Sequence, residues 1–345
     1  MDYRALIVIG PGGVGKTTSA VVYALQAAYE GKRVGLLSID PSKRLASALG
    51  LNLEGSLKEL DLKPDFKGTV KAGIIDLKKI FDDKVYQFAG SKARAEKILR
   101  HPLYIAASTN LAGPLEYMSL AKFQEMYDSD EFDLVILDTP PDHHALDFLN
   151  KPNVLAGFMD KKIIQWLVKP FALAGRMGLT RVLMIGEKLM GGLAKVTGFS
   201  ALHKLADFVI DMQEVIEGFH RLGTRTLQIL RDPTTRFVLV ASVQQSRFFS
   251  VQQLGEELIA LGYKRPDLII NRCLPQAIID DLRTTDPQGH PYVEELNLRL
   301  LRETELSHWF KQLSTGDILR MIDMGSDVDS LQALRELIKM IQMEN

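Results

Sequence analysis

Residues 10–20 read GPGGVGKTTSA. Gly10 through Thr17 fit the spacing G-x-x-x-x-G-K-[ST], in which glycines let backbone N–H groups turn inward around phosphate oxygens. The run before it, ALIVI (5–9), is apolar throughout and suits a central strand. The run after it is alanine-rich, carries apolar residues at helical spacing and is ended by Gly31. The context is strand, loop, helix, and the helix N-terminus adds its positive end to the loop. On this reading Gly12, Gly13, Val14 and Gly15 shape a phosphate cradle. Lys16 reaches the β- and γ-phosphates, and the Thr17 hydroxyl ligates Mg²⁺. Gly10, Gly12 and Gly15 also satisfy the dinucleotide spacing G-x-G-x-x-G, with Asp40 placed about where a ribose ligand sits. The Lys16–Thr17 pair favours the phosphate loop, because a dinucleotide loop has no use for a lysine there.

Two carboxylates extend the pattern. RVGLLSIDPSKRLASALG (33–50) reads as a second strand turned by Asp40-Pro41 into a short helix. Asp40 then lies in a carboxyl-end loop beside the phosphate loop, the ligand side of an open α/β sheet. A strand-end aspartate also serves as a plain helix N-cap. FDLVILDTPPDHHALDFL (132–149) holds a third strand whose apolar run ends at Asp138. A carboxylate there orients a Mg²⁺ shell, and the loop after it can sense the γ-phosphate. His143 and His144 are adjacent, so on regular elements they point apart; they read as surface or switch-loop residues rather than a metal pair. DLIINRCLP (267–275) ends a further strand in Asn271. Its amide either meets an adenine edge or merely ends the strand.

The bulk numbers exclude several classes. The 345 residues are 46% hydrophobic and 25% charged, with a formal net charge of −1 at pH 7. Such a chain buries a sizeable core and carries no global field for nucleic acid. Cys273 is the one cysteine, which rules out a disulfide framework and any cysteine-cluster metal site within the chain. The N-terminal residues read as a strand rather than a signal peptide, and no uncharged apolar run approaches the ~18 residues of a membrane span. A cytoplasmic location is the expectation. His220 and Trp309 read as helix-face packing residues.

PGGVGKTT, SIDPSKRLASALG, VILDTPPDHHALDFL and IINRCLP together resemble the ArsA-type ATPases, the P-loop group of the arsenite-pump and tail-anchored-protein targeting ATPases. The resemblance covers roughly residues 3–275, with a plausible terminal strand and helix at 317–343. It implies that Lys16, Thr17 and Thr18 bind the phosphates of ATP and Mg²⁺ and that Asp40, in a first switch, positions or activates water. Asp138 becomes the Walker B carboxylate, a metal-shell residue with Thr17 and Asp40. His144 falls at a second-switch histidine, and Asn271 contacts adenine. The family loop opens with a lysine that crosses a dimer interface to the partner's nucleotide. Here Pro11 stands in that place, with neither charge nor N–H. Two arrangements follow: a lysine-less subunit of a heterodimer with a paralogous ATPase, or a slow homodimer in which Arg44, Lys43 or another residue substitutes. A third is a nucleotide-binding regulatory or structural subunit with negligible hydrolysis. The C-x-x-C zinc pair and the arsenite-binding cysteines of relatives are missing from this sequence, so neither zinc nor arsenite is expected.

The helical middle departs from α/β alternation. Residues 151–204 carry nine Lys/Arg against two acidic residues, a local net of +7 that leaves the remainder at −8, and include Met159, Met177, Met184, Met190 and Trp166. The stretch reads as short amphipathic helices that pack on one another or on a dimer partner, accept a hydrophobic protein client, or touch an anionic membrane surface. The resemblance favours the client. Residues 206–232 read as a long helix returning the chain to the strand TRFVLVAS (235–242). The expectation is a doubly wound, mostly parallel α/β P-loop sheet formed by residues 1–150 and 233–345, with a helical insertion at 151–232.

Overall fold

The computed structural model describes residues 3–39, 44–49, 56–62, 66–74, 76–102, 104–105, 112–140, 198–243, 248–263, 266–284, 291–325, 331–339 and 342–343. Nine strands form one sheet: β1 (Ala5–Ile9), β2 (Arg33–Ser38), β3 (Lys58–Glu59), β4 (Thr69–Ile74), β5 (Leu134–Asp138), β6 (Thr235–Ser242), β7 (Asp267–Cys273), β8 (Ile318–Ile322) and β9 (Gln342–Met343). Their order is β3-β4-β2-β5-β1-β6-β7-β8-β9. All pairings from β4 across to β8 are parallel, and only the two-residue edges β3 and β9 run antiparallel. This is the mostly parallel α/β sheet expected from the sequence. Its central strands are apolar runs because both faces are covered: every residue of β1 and β5 is buried.

The described helices are α1 (Lys16–Tyr29), α2 (Arg44–Leu49), α3 (Leu77–Phe88), α4 (Lys92–Leu99), α5 (Ala112–Asp128), α6 (Gly198–Arg231), α7 (Phe248–Ala260), α8 (Gln276–Thr284), α9 (Pro291–Leu313) and α10 (Leu331–Lys339). Helix α1 packs its alanine face on the sheet, with Ala20, Ala24, Ala27 and Ala28 fully buried. It stops where Gly31 takes φ 101°. Gly31 N–H donates to Ala28 O and Lys32 N–H to Ala27 O, the paired closure of a Schellman ending, which needs a residue without a Cβ penalty.

The chain forms two compact units. The first comprises residues 1–76, 119–150 and 228–345 and holds the sheet; the second comprises 77–118 and 151–227. In the second, Phe81 stacks on Tyr104 and Phe219, and Phe88 meets Phe219 edge-on. Ion pairs Arg94–Glu214 and Lys97–Asp211 join α4 to α6 on the exposed side. Helices from 77–118 thus group with 151–227, a pairing that local sequence does not announce. Residues 151–197, most of the basic stretch, lie outside the described residues. In the first unit Trp309 packs between Phe248 and Phe310 as expected of a packing residue, whereas His220, in the second, is exposed.

Candidate functional site

Register places the site. β5 lies between β1 and β2, with Asp138 paired to Val8 on one side and Ser38 on the other. Three strand ends therefore arrive together beneath the N-terminus of α1. Thr139 fastens the exit from β5, its hydroxyl donating to Val8 O at 2.8 Å.

The loop from β1 turns through Gly13 (φ 79°) and Gly15 (φ 99°) into α1. No acidic residue stands in the first turn of α1, so the carboxylate set against its positive end comes from another element, Asp138 of β5. Lys16 is 7% exposed and folds back over the loop, its Nζ donating to Gly10 O at 2.9 Å and Pro11 O at 3.0 Å. Thr17 Oγ1 donates to Asp138 Oδ2 at 2.8 Å. Ser38 Oγ donates to the same oxygen at 2.8 Å. Asp138 is fully buried. Val14 is buried, Gly12 and Thr18 are half-buried and Gly13 is exposed.

Asn271, at the end of β7, is folded against the loop. Its Nδ2 donates to Val14 O at 2.9 Å, and its Oδ1 accepts from Arg272 N–H at 2.9 Å. An amide has one further hydrogen and one further lone pair beyond these two bonds. The contact explains Gly15: a Cβ there would come within 2.2 Å of Asn271 Nδ2.

The structure thus brings Lys16, Thr17, Asp138 and Asn271 together around one loop. Asp40 lies outside the described residues, as do Lys43, the Arg44 side chain, His143 and His144. Ser38 was not legible as a site residue; its only signal was a hydroxyl closing an otherwise apolar strand two positions before Asp40.

The donor set fits a magnesium nucleotide. Hydroxyl and carboxylate oxygens are the hard ligands Mg²⁺ takes, an ammonium and a helix N-terminus suit phosphate, and the glycines leave backbone N–H groups approachable. A dinucleotide loop has no use for a hydroxyl bonded to a buried strand-end carboxylate.

Residues 3–296 match the family of anion-transporting ATPases of ArsA type. The chain is 24% identical over 280 residues to a putative arsenical pump-driving ATPase 2 of Aquifex aeolicus, covering 77% of this chain and 79% of that protein. It is 27% identical over 289 residues to the ATPase GET3 of Candida glabrata, covering 79% and 73%. It is 25% identical over 283 residues to the arsenical pump-driving ATPase of Escherichia coli, covering 79% of this chain and 40% of that protein.

Proposed function

Because this chain belongs to the ArsA-type family of anion-transporting ATPases, we infer that the loop of residues 10–17 is its ATP site and that hydrolysis there is Mg²⁺-dependent. The family makes the chain an ATP hydrolase. The observation that supports the location is the convergence of the Thr17 and Ser38 hydroxyls on one oxygen of buried Asp138, beneath the lysine-bearing loop. Thr17, Asp138 and Asp40 would hold Mg²⁺, and the ion would supply charge neutralisation at the phosphates. Lys16 would exchange its bonds to Gly10 O and Pro11 O for phosphate oxygens, and backbone groups of Gly12, Gly13, Val14 and Gly15, with Thr18, would complete the cradle. Asp40 would orient or activate the attacking water. Asn271 would offer its remaining amide hydrogen to the base.

The working form is a nucleotide-switched dimer in the cytoplasm, and its output is the handling of a hydrophobic protein segment by residues 151–232. The local basic excess there also suits peripheral contact with an anionic membrane; among the described residues no helix is long and apolar enough to cross one. Pro11 is buried and brings no cation, so we assign this chain to the lysine-less side of a heterodimer whose paralogue supplies the missing charge. A second reading rests on the same residue: a nucleotide-binding regulatory subunit that turns over negligibly alone.

Steady-state ATP hydrolysis with Mg²⁺, paired with sedimentation with and without ATP, tests these readings. Low turnover by the chain alone, raised on adding the paralogue and abolished by Asp138→Asn in this subunit, is expected. Failure of the chain to bind ATP at all overturns the site assignment. Binding with negligible turnover indifferent to the paralogue overturns the shared-site reading and leaves the regulatory one, whereas robust turnover by an ATP-tightened homodimer leaves the arrangement in which another residue substitutes for the lysine.

A further inference from the structure

Arg272 is the single non-glycine residue with positive φ among the described residues, at 61°. It also sits at a bulge: Asn271 pairs with Met321 and Cys273 with Ile322, and the register shifts between them at Arg272. A left-handed residue with a Cβ persists only where its surroundings over-determine it. Both of its peptide groups are held. On one side its N–H donates to Asn271 Oδ1. On the other, its carbonyl accepts from Arg299 Nη2 at 2.7 Å, and that nitrogen also bonds Asp323 Oδ2 at 2.7 Å. Asp323 N–H in turn donates to Cys273 O at 2.8 Å, one residue beyond the bulge. The Arg299 side chain is 12% exposed, whereas Arg272, whose carbonyl it holds, lies at the surface. One turn along α9, Arg302 Nη1 donates to Val243 O at 3.1 Å, and Val243 N–H donates to Asn271 O at 3.3 Å.

We propose that Arg299, held by Asp323, is a positioning residue for the nucleotide site: it fixes the bulge at Arg272 and thereby aims the Asn271 amide at the phosphate loop. The inference rests on the reading of residues 10–17 as the nucleotide site. The bonds form an unbroken series from α9 to the loop: Arg299 to Arg272 O, Arg272 N–H to Asn271 Oδ1, Asn271 Nδ2 to Val14 O. Without the guanidinium the bulge relaxes toward a less strained backbone, Asn271 turns off Val14, and the loop samples conformations that do not hold phosphate. The effect falls on affinity, because no atom of Arg299 is required at the reacting phosphoryl group.

The test is titration of the full chain with N-methylanthraniloyl-ADP and Mg²⁺, with ATP hydrolysis and the urea midpoint measured on the same samples. Arg299→Met is expected to weaken ADP binding roughly tenfold, about the value of one charge-assisted hydrogen bond, and to raise KM for ATP similarly with kcat within about threefold. Arg299→Lys recovers part of the affinity, since one ammonium reaches a single acceptor. Asp323→Asn, a size-conserving change that lets Arg299 swing, weakens binding to an intermediate degree and serves where Arg299→Met folds poorly. In an Asn271→Ala background, Arg299→Met adds less than about twofold, because the amide it aims is gone. A tenfold loss that persists undiminished in that background overturns the proposal, and so does a lowered urea midpoint with unchanged ADP affinity. Wild-type protein that does not bind the probe overturns the nucleotide reading itself, and this inference with it.

Discussion

Replacing Gly15 with alanine separates two constraints that coincide at one position. The first is backbone: Gly15 has φ 99°, where an L-residue is destabilised by about 1–2 kcal/mol. The second is space: the new methyl would meet Asn271 Nδ2 at 2.2 Å and Cγ at 3.3 Å. The amide must move, and its bond to Val14 O is lost, at about 0.5–1.5 kcal/mol. Gly15→Ala is therefore expected to destabilise by about 2–3 kcal/mol. Asn271→Ala alone loses the same bond without the strain, about 1 kcal/mol. In the double variant the bond is lost only once, so the summed single effects exceed the double by about 1 kcal/mol, well above the ~0.3–0.5 kcal/mol scatter of independent sites. Equilibrium urea unfolding of the four proteins, followed by circular dichroism, measures this directly. Additivity within that scatter refutes the claim that Gly15 is glycine partly to admit Asn271.

Pro11→Lys is expected to raise turnover of the isolated chain at least about tenfold if the missing interfacial cation limits it; an unchanged rate in a variant that binds ADP like wild type removes Pro11 from the explanation. Ser38→Ala removes one donor from buried Asp138 and should cost about 1 kcal/mol of stability, read as a lower urea midpoint with an unchanged slope. Glu303 and Arg320 form an ion pair whose side chains are 9% and 11% exposed. Glu303→Ala leaves a buried guanidinium and should cost about 3–5 kcal/mol, most of it regained in Glu303→Leu/Arg320→Met. Near the surface, hydrogen bonds from the Arg33 side chain and backbone N–H hold the Asp133 carboxyl down at about 2. A depressed carboxylate contributes stability above its unfolded value near 4 and loses it as pH falls through 2. The stability gap between wild type and Asp133→Asn should therefore close between pH 4 and 2, and it should be small at neutral pH and shrink in salt, because the pair is exposed.

What the sequence disclosed follows from where the physics is local. β1, β2, β5, β6 and β7 are legible because a parallel strand covered on both faces must be a nearly unbroken apolar run. The loop and α1 are legible because positive φ at Gly13 and Gly15 favours glycine and the helix that follows is alanine-rich. Edges of two residues, β3 and β9, are too short to leave a period. Ser38 was missed because a serine ending a strand has no signature until the register sets it against Asp138. The grouping of 77–118 with 151–227 was missed because aromatic pairs such as Phe81 with Phe219 join segments far apart in sequence. Arg299 escaped for the same reason: it is one arginine in a charged helix, and its bond to Arg272 O exists only once α9 has packed beside β7.

Pro11 leaves the bonding within the loop intact. The loop uses residue 11 through its carbonyl, which accepts from Lys16, and any residue supplies a carbonyl. Proline's missing N–H and fixed φ remove nothing that this bond requires. The same holds at Asn271, whose amide braces Val14 regardless of what side chain stands at 11. The cradle can therefore form with its geometry complete while the charge that a lysine would carry outward is absent. On the proposed reading, affinity for nucleotide and rapid turnover separate: the first would rest on Gly15, Lys16, Thr17 and Asn271 within this chain, and the second on a cation that residue 11 does not provide. The expected result is a chain that binds nucleotide by itself and gains speed from a partner that brings the charge, which ATPase rates measured with and without the paralogue decide.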